Sequence, residues 1–216
     1  MPSRPQNVTT ENEACEMSAK QSSGERREQI LQAALVAFSH RGYHETSMVD
    51  IADAIGVTKP VIYQHFDSKR ELYLELLDVV GSDLIAAITK AAVDSADGRE
   101  QTERGMIAYF SWVLANQDAF SLLFGGGARL DEEFAGAIRR VERAIADAIA
   151  PLIAADISES VRRTMAYGLV GMSESVSRHL VASGENFDPV DIGRQIGGLA
   201  WAGLRSLGQS RNTQPR

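Results

Sequence analysis

SMVDIADAIGVTKPVIYQHF, residues 47–66, is the stretch on which the fold turns. Ser47 and Asp50 stand at capping-box spacing, Asp replacing the commoner Glu, so a helix is expected to open at Ser47. Met48, Ile51, Ala52 and Ile55 form its apolar side, and Gly56 ends it. Thr58 can cap a following helix whose first turn tolerates Pro60, because the N–H groups there lack helical partners. Ile62 and Phe66 are its apolar pair, one helical turn apart. Two helices this short are not stable alone and must pack crosswise on a third. The outcome is a pinned, partly exposed third helix of the kind that enters a major groove.

The flanks supply the support. Upstream, Ile30, Leu31, Ala34, Leu35 and Phe38 give one apolar face to a helix from about Gly24 to Arg41, with Gly42 where a left-handed cap is expected. Downstream, Ser68-Lys69-Arg70-Glu71 is a second capping box, opening a long helix to about Val93. The residues around the short pair suit nucleic acid. Thr58, Lys59 and Pro60 start the third helix, where free N–H groups favour phosphate. Tyr63 and His65 offer donors, and Gln64 can pair with an adenine edge. Lys69, Tyr43, Thr46 and Ser47 would hold the flanking backbone. The blander alternatives are that Tyr63 packs between helices, that His65 caps, and that Arg26 and Arg27 are ordinary solvated charges. His40 and His44 are separated by Gly42, which makes them a poor metal pair.

Phe38, Gly42, Tyr43, Thr46, Ile51, Ala52, Gly56, Val57, the run from Lys59 to Phe66, and Ser68 to Leu72 together resemble the TetR family of regulators. The resemblance covers roughly residues 25–80. It implies an all-α fold in which a helix-turn-helix domain is joined by a long helix to a helical effector-binding and dimerisation domain. It places Thr58 to His65 in the groove and Thr46, Tyr63 and Lys69 on phosphates. It also implies a homodimer on a palindromic operator, gripping two half-sites about 34–36 Å apart. Most such proteins repress.

After Asp94, helices are expected at about 98–116, 117–124, 130–153, 158–183 and 188–207. Gly125-Gly126-Gly127 lacks the Lys-Ser/Thr of a phosphate loop and reads as a connector. Met106, Tyr109, Phe110, Trp112, Phe120, Leu123 and Phe124 crowd mid-chain, either as plain core or, with Met172, as the lining of an apolar effector pocket. Gly168, Gly171, Ser175 and Gly197, with Trp201 and Leu204 as anchors, suggest close backbone approach at a dimer interface or around a ligand tunnel. The patches Gly168 to Ser173 and Trp201 to Leu204, with Tyr43-His44 and Tyr63 to Phe66, resemble actinobacterial TetR-type regulators of fatty-acid synthesis. Those respond to long-chain acyl-CoA and can activate. That resemblance implies an acyl effector, with Arg129, Arg139 and Arg178 as undifferentiated candidates for the CoA phosphates.

Net charge is −7 over 216 residues, at first sight unfavourable to DNA. Between Gly24 and Arg70, however, Arg26, Arg27, Arg41, Lys59, Lys69 and Arg70 balance Glu25, Glu28, Glu45, Asp50, Asp53 and Asp67. The acidity belongs to the rest of the chain. Cys15 is the single cysteine, which excludes an intrachain disulfide and a cysteine metal site. No apolar run reaches the roughly 18 residues of a membrane span, and the polar start has no signal-peptide core, so a cytoplasmic protein is expected. The expected organisation is a disordered leader (1–23), a DNA-binding domain (24–84), an effector and dimerisation domain (85–208) and a disordered tail (209–216). Neither a cofactor nor a metal is expected. The rival is a helical enzyme or carrier for acyl or aromatic ligands without DNA binding, but no nucleophile–base pair or paired carboxylates stand out to support it.

Overall fold

Helix α1 (Val8–Glu45) is broken at Gly42, whose φ of 78° and ψ of 166° leave the helical region. Only glycine adopts that φ freely, which is why the helical turn ends there. The structure, a computed structural model, describes residues 8–125, 132–154, 157–184 and 186–209. Helical backbone begins at Val8, ahead of the start expected near Gly24. No proline or glycine interrupts residues 8–23, whose Glu, Ala, Met, Lys and Gln residues are good helix formers. Beyond Gln209 the tail lies outside the described residues.

Of the short helices, the one opened by Ser47 carries its expected side-chain cap and the one opened by Thr58 does not, since the Thr58 side chain makes no cap hydrogen bond. Helix α2 (Met48–Ala54) opens on Ser47, whose hydroxyl accepts from the Asp50 N–H at 3.2 Å while its own N–H donates to Asp50 Oδ2 at 2.7 Å. Gly56, at φ 68°, turns the chain toward α3 (Lys59–Tyr63). Ser68 caps α4 (Lys69–Ala92) by accepting from the Glu71 N–H at 3.0 Å, and Glu71 Oε2 accepts from the Asp67 N–H at 2.5 Å.

The chain forms two compact units, Met1–Tyr73 and Leu74–Arg216. The division falls inside α4, earlier than the boundary expected near residue 84. The first turn of α4 packs with α1, Tyr73 standing edge-on to Phe38 at 5.0 Å between ring centroids, so it belongs to the first unit. That unit is centred on Ile30, Ala34, Phe38, Ile51, Ile62, Phe66 and Leu72, all buried. Leu35 and Ile55 are only half-buried at its margin.

The second unit contains the remainder of α4 with α5 (Gly98–Ala115), α6 (Gln117–Phe124), α7 (Glu132–Ile149), a 3-10 turn (Ala150–Leu152), α8 (Glu159–Ser183) and α9 (Pro189–Gln209). The helix expected over 130–153 ends at Ile149, because Pro151 cannot continue it. Asp97 caps α5, and Gly184 in the left-handed region closes α8. Helix α9 lies hard against α5 through two glycines one turn apart. A Cβ at Gly193 would fall 2.6 Å from the Ile107 Cα, and one at Gly197 3.0 Å from the Glu103 Cα. Ala200 and Leu204 continue the same buried stripe.

Candidate nucleic-acid interface and effector cavity

Helix α3 is held by its inward side and open on the other. Ile62 and Phe66 are fully buried, while Thr58, Lys59, Pro60 and Gln64 are exposed and Tyr63 is 42% exposed. Lys59 Nζ sits over the Tyr63 ring at 5.6 Å, a loose cation–π contact that leaves both side chains accessible. His65 is half-buried. The exposed face therefore presents a hydroxyl, an ammonium, a phenol and an amide on a rigid backing. Ser47, also exposed, is committed to capping α2.

Two residues expected on phosphates bond carbonyls of the protein itself. Thr46 is 1% exposed, and its hydroxyl donates to the carbonyls of Ala37 at 3.1 Å and Gly42 at 2.8 Å. Its side chain is not at the surface. Lys69 is half-buried, and its ammonium donates to the carbonyls of Tyr43 and Thr46, both at 2.8 Å, and of His44 at 3.5 Å. It also lies 4.2 Å from the centre of the Tyr43 ring. The reason is general: a helix that stops leaves carbonyls unpaired, and a nearby cation satisfies them. Tyr43 is half-buried, with its ring against Phe38 and Tyr73.

Arg26 reads from sequence as an ordinary solvated charge. With Ser23 it lines an open cleft of about 380 Å³, whose other walls are Val61, Gln64 and His65. Arg27, beside it, stacks over the Phe66 ring at 4.5 Å. No local motif marks either arginine, since only tertiary packing brings the start of the described α1 side chains to the end of α3.

In the second unit an apolar cavity of about 60 Å³ lies among α4, α5, α7 and α8. Met106, Tyr109 and Phe124 line it. Phe110, Trp112, Phe120, Leu123 and Met172 do not, which corrects that assignment. Phe110, Phe120 and Leu123 are core, and Met172 is half-buried away from the cavity wall. Trp112 instead donates its indole N–H to Asp83 Oδ2 at 2.6 Å, joining α5 to α4. The walls that sequence reading missed are aliphatic: Leu84 and Ile88 from α4, Ile145 and Ile149 from α7, Leu169 from α8. Of the polar lining, Thr102 donates to the Gly98 carbonyl and Ser173 to the Met106 sulfur. Burial pushes the Tyr109 phenol up from its ordinary pKa, so it stays neutral. Arg178 is ion-paired with Glu174, Arg139 is exposed, and Arg129 lies outside the described residues.

The small residues of the last two helices divide by face. Gly168, Gly171 and Ser175 are exposed on α8, with nothing within 4 Å of a Cβ placed at either glycine. Gly197 and Leu204 point into their own chain, and Trp201, half-buried, packs on the core cluster of Ala146, Ala166 and Leu204. The exposed face of α9 carries Leu199, 63% exposed, with Gly198, Ala202 and Gly203. Tyr167 is its counterpart on α8. Among the described residues no group of three His, Cys, Asp or Glu side chains is placed to hold a metal, and no helix is long and apolar enough to cross a membrane.

Comparison with known proteins bears on the whole arrangement. The model of bacterial regulatory proteins of the tetR family matches residues 30–76, and that of the tetracyclin repressor-like C-terminal domain matches residues 98–203. The HTH-type transcriptional activator FasR of Mycolicibacterium smegmatis is 33% identical over 193 residues, covering 87% of either chain. The chain belongs to the TetR family. The first match contains every residue from Tyr43 to Lys69 discussed above, and the second runs from the start of α5 into α9. A solved TetR-like transcriptional regulator from Rhodococcus sp. RHA1 superposes with a TM-score of 0.67 at 29% identity, covering 83% of this chain and 95% of that one. FadR from Bacillus subtilis, solved in complex with stearoyl-CoA, has the same fold: TM-score 0.68 at 17% identity, covering 80% and 96%. Members of the TetR family are DNA-binding transcriptional regulators.

Proposed function

We propose that this TetR-family regulator binds a palindromic operator as a homodimer and changes its operator affinity when an apolar effector, a long-chain acyl-CoA, enters the cavity of the second unit. The observation that carries the reading is the pairing of an exposed, donor-bearing α3 with an apolar cavity walled partly by α4, the helix that both units share. Thr58, Lys59, Pro60, Tyr63, Gln64 and His65 face the major groove, Gln64 and Tyr63 meeting base edges and Lys59 a phosphate. The exposed faces of α8 and α9, with Tyr167, Gly168, Gly171, Leu199 and Gly203, bury against a second copy.

The acyl assignment is supported by the aliphatic lining and by the stearoyl-CoA bound to the FadR relative. Each methylene taken from water contributes about 0.8 kcal/mol, so a long chain has ample driving force. A cavity of about 60 Å³ holds a few water molecules and not an acyl chain. Binding must therefore part α4, α5, α7 and α8, and this displacement is what gives the ligand a differential affinity for two states. Leu84 and Ile88 lie on the helix that begins at Lys69, so the displacement acts on a helix whose first residues belong to the first unit.

The test is selection of bound duplexes from random sequence by the purified protein, repeated with palmitoyl-CoA. An enriched palindrome lost on addition of palmitoyl-CoA is the expected result. A palindrome indifferent to it would overturn the acyl effector alone, and no enrichment at low salt would overturn the operator claim. Hydrolysis of the thioester during the incubation would revive the enzyme reading.

A further inference from the structure

We propose that the hydroxyls of Tyr109 and Ser177 form the polar end of the effector cavity and recognise a carbonyl oxygen of the ligand, which makes them its specificity-determining pair. The inference deepens the acyl reading above and rests on it. Two rungs connect α5 and α8 beside the cavity. In the first, the Ser173 hydroxyl donates to the Met106 sulfur at 3.3 Å. The second lies about one turn further along both helices, where Tyr109 meets Ser177. Burial raises the pKa of the phenol, and the adjoining Ser177 hydroxyl offsets part of that rise. Met106, Tyr109 and Ser173 line the cavity, and Ser177 is the next residue on that face of α8.

Tyr109 is 6% exposed and Ser177 0%, and among the described residues neither hydroxyl has a hydrogen-bond partner. A buried hydroxyl left unpaired costs stability, so both are set to gain from an arriving acceptor. The polar groups nearby are committed elsewhere. Glu174, the buried acid beside the phenol, is ion-paired with Arg178, and Thr102 bonds the Gly98 carbonyl. Turned toward each other, the two hydroxyls would spend only one of their two O–H donors. A carbonyl oxygen has two lone pairs and accepts from both. It suits the pair better than a ligand hydroxyl, which brings a donor that would need a third partner. Alkyl carbon satisfies neither hydroxyl and leaves the cost in place. An acyl thioester offers one carbonyl at the head of its chain, and a 3-oxoacyl thioester offers a second within it.

The experiment needs no DNA. Full-length protein is titrated by calorimetry with palmitoyl-CoA, 3-oxopalmitoyl-CoA and S-hexadecyl-CoA, a thioether of similar chain length that lacks a carbonyl on the chain. Wild type is expected to bind the thioether about fivefold more weakly than the ligand whose carbonyl it reads. Palmitoyl-CoA standing above the thioether identifies the thioester oxygen as the acceptor. The 3-oxo ligand standing above both others identifies the oxygen within the chain, and either result supports the pair. Tyr109→Phe and Ser177→Ala should each reduce that preference while leaving the thioether affinity unchanged. Neither should lower the Tm of the ligand-free protein, because no bond present there is lost. Equal affinity of wild type for all three ligands would overturn the pair and leave the acyl reading standing. A preference undiminished in both variants would overturn it as well. So would an equal loss for all three ligands together with a lowered Tm, which would make the hydroxyls supports of the fold. Failure of all three ligands to bind wild type is a different result, since it brings down the acyl reading itself and the pair with it.

Discussion

A carboxylate in a capping box titrates with the helix it starts. Asp50 accepts from both the N–H and the hydroxyl of Ser47, and Arg41 lies 3.5 Å away, so its carboxyl is held below the usual value of 3.8, first by the Ser47 hydroxyl. A carboxyl depressed in the folded state contributes stability above its unfolded pKa and loses it as pH falls through the folded one. Denaturant melts of wild type and Asp50→Asn should therefore differ at neutral pH, with wild type the more stable, and converge on acidification below 3.8. A gap that widens toward acid would reverse the assignment. At this scale the sequence was legible wherever the partner is close by. Ser47 with Asp50, and Ser68 with Glu71, need only their spacing to be recognised. The partners of Thr46 and Lys69 within the protein were not legible, because backbone carbonyls carry no sequence signature.

Helices in this chain are told apart by what their small residues touch. Gly193 and Gly197 let α9 approach the backbone of α5, whereas a Cβ at Gly136 on α7 would meet nothing nearer than the end of Arg140 at 3.9 Å. Replacing glycine by alanine inside a helix gains about 1 kcal/mol of propensity when space allows. Gly136→Ala should accordingly raise the Tm. Gly193→Ala should lower it, because overpacking against a backbone atom costs about 1–3 kcal/mol. Calorimetry of the two variants side by side checks the packing directly, and equal shifts would refute it. Element boundaries were readable from caps and breakers: Gly42, Gly56, Pro151 and Gly184 each stop a helix. Which face of α9 turns inward was not readable, since Gly197, Gly198 and Gly203 look alike in sequence and only one of them is buried.

For the whole molecule, two consequences follow from the proposed switch. Leu199→Asp places a charge on the exposed apolar face of α9, and sedimentation should show the dimer giving way to monomer with loss of operator binding. A dimer that survives would move the interface elsewhere. Ile149→Trp fills the cavity from a half-buried position, so operator binding should persist while palmitoyl-CoA no longer releases it. Release at the wild-type concentration would exclude the cavity as the effector site. Sequence alone determined the all-helical class, the helix-turn-helix and its outward-facing residues, because caps, glycines and a one-turn apolar period act over a few neighbours. Tertiary structure alone decided that Lys69 and Thr46 serve the protein's own carbonyls. It also decided that Trp112 ties α5 to α4 and that the cavity is walled by aliphatic residues of α4, α7 and α8. Periodicity reports that a face is buried, but a gap exists only where several buried faces meet without closing, and no single face records that.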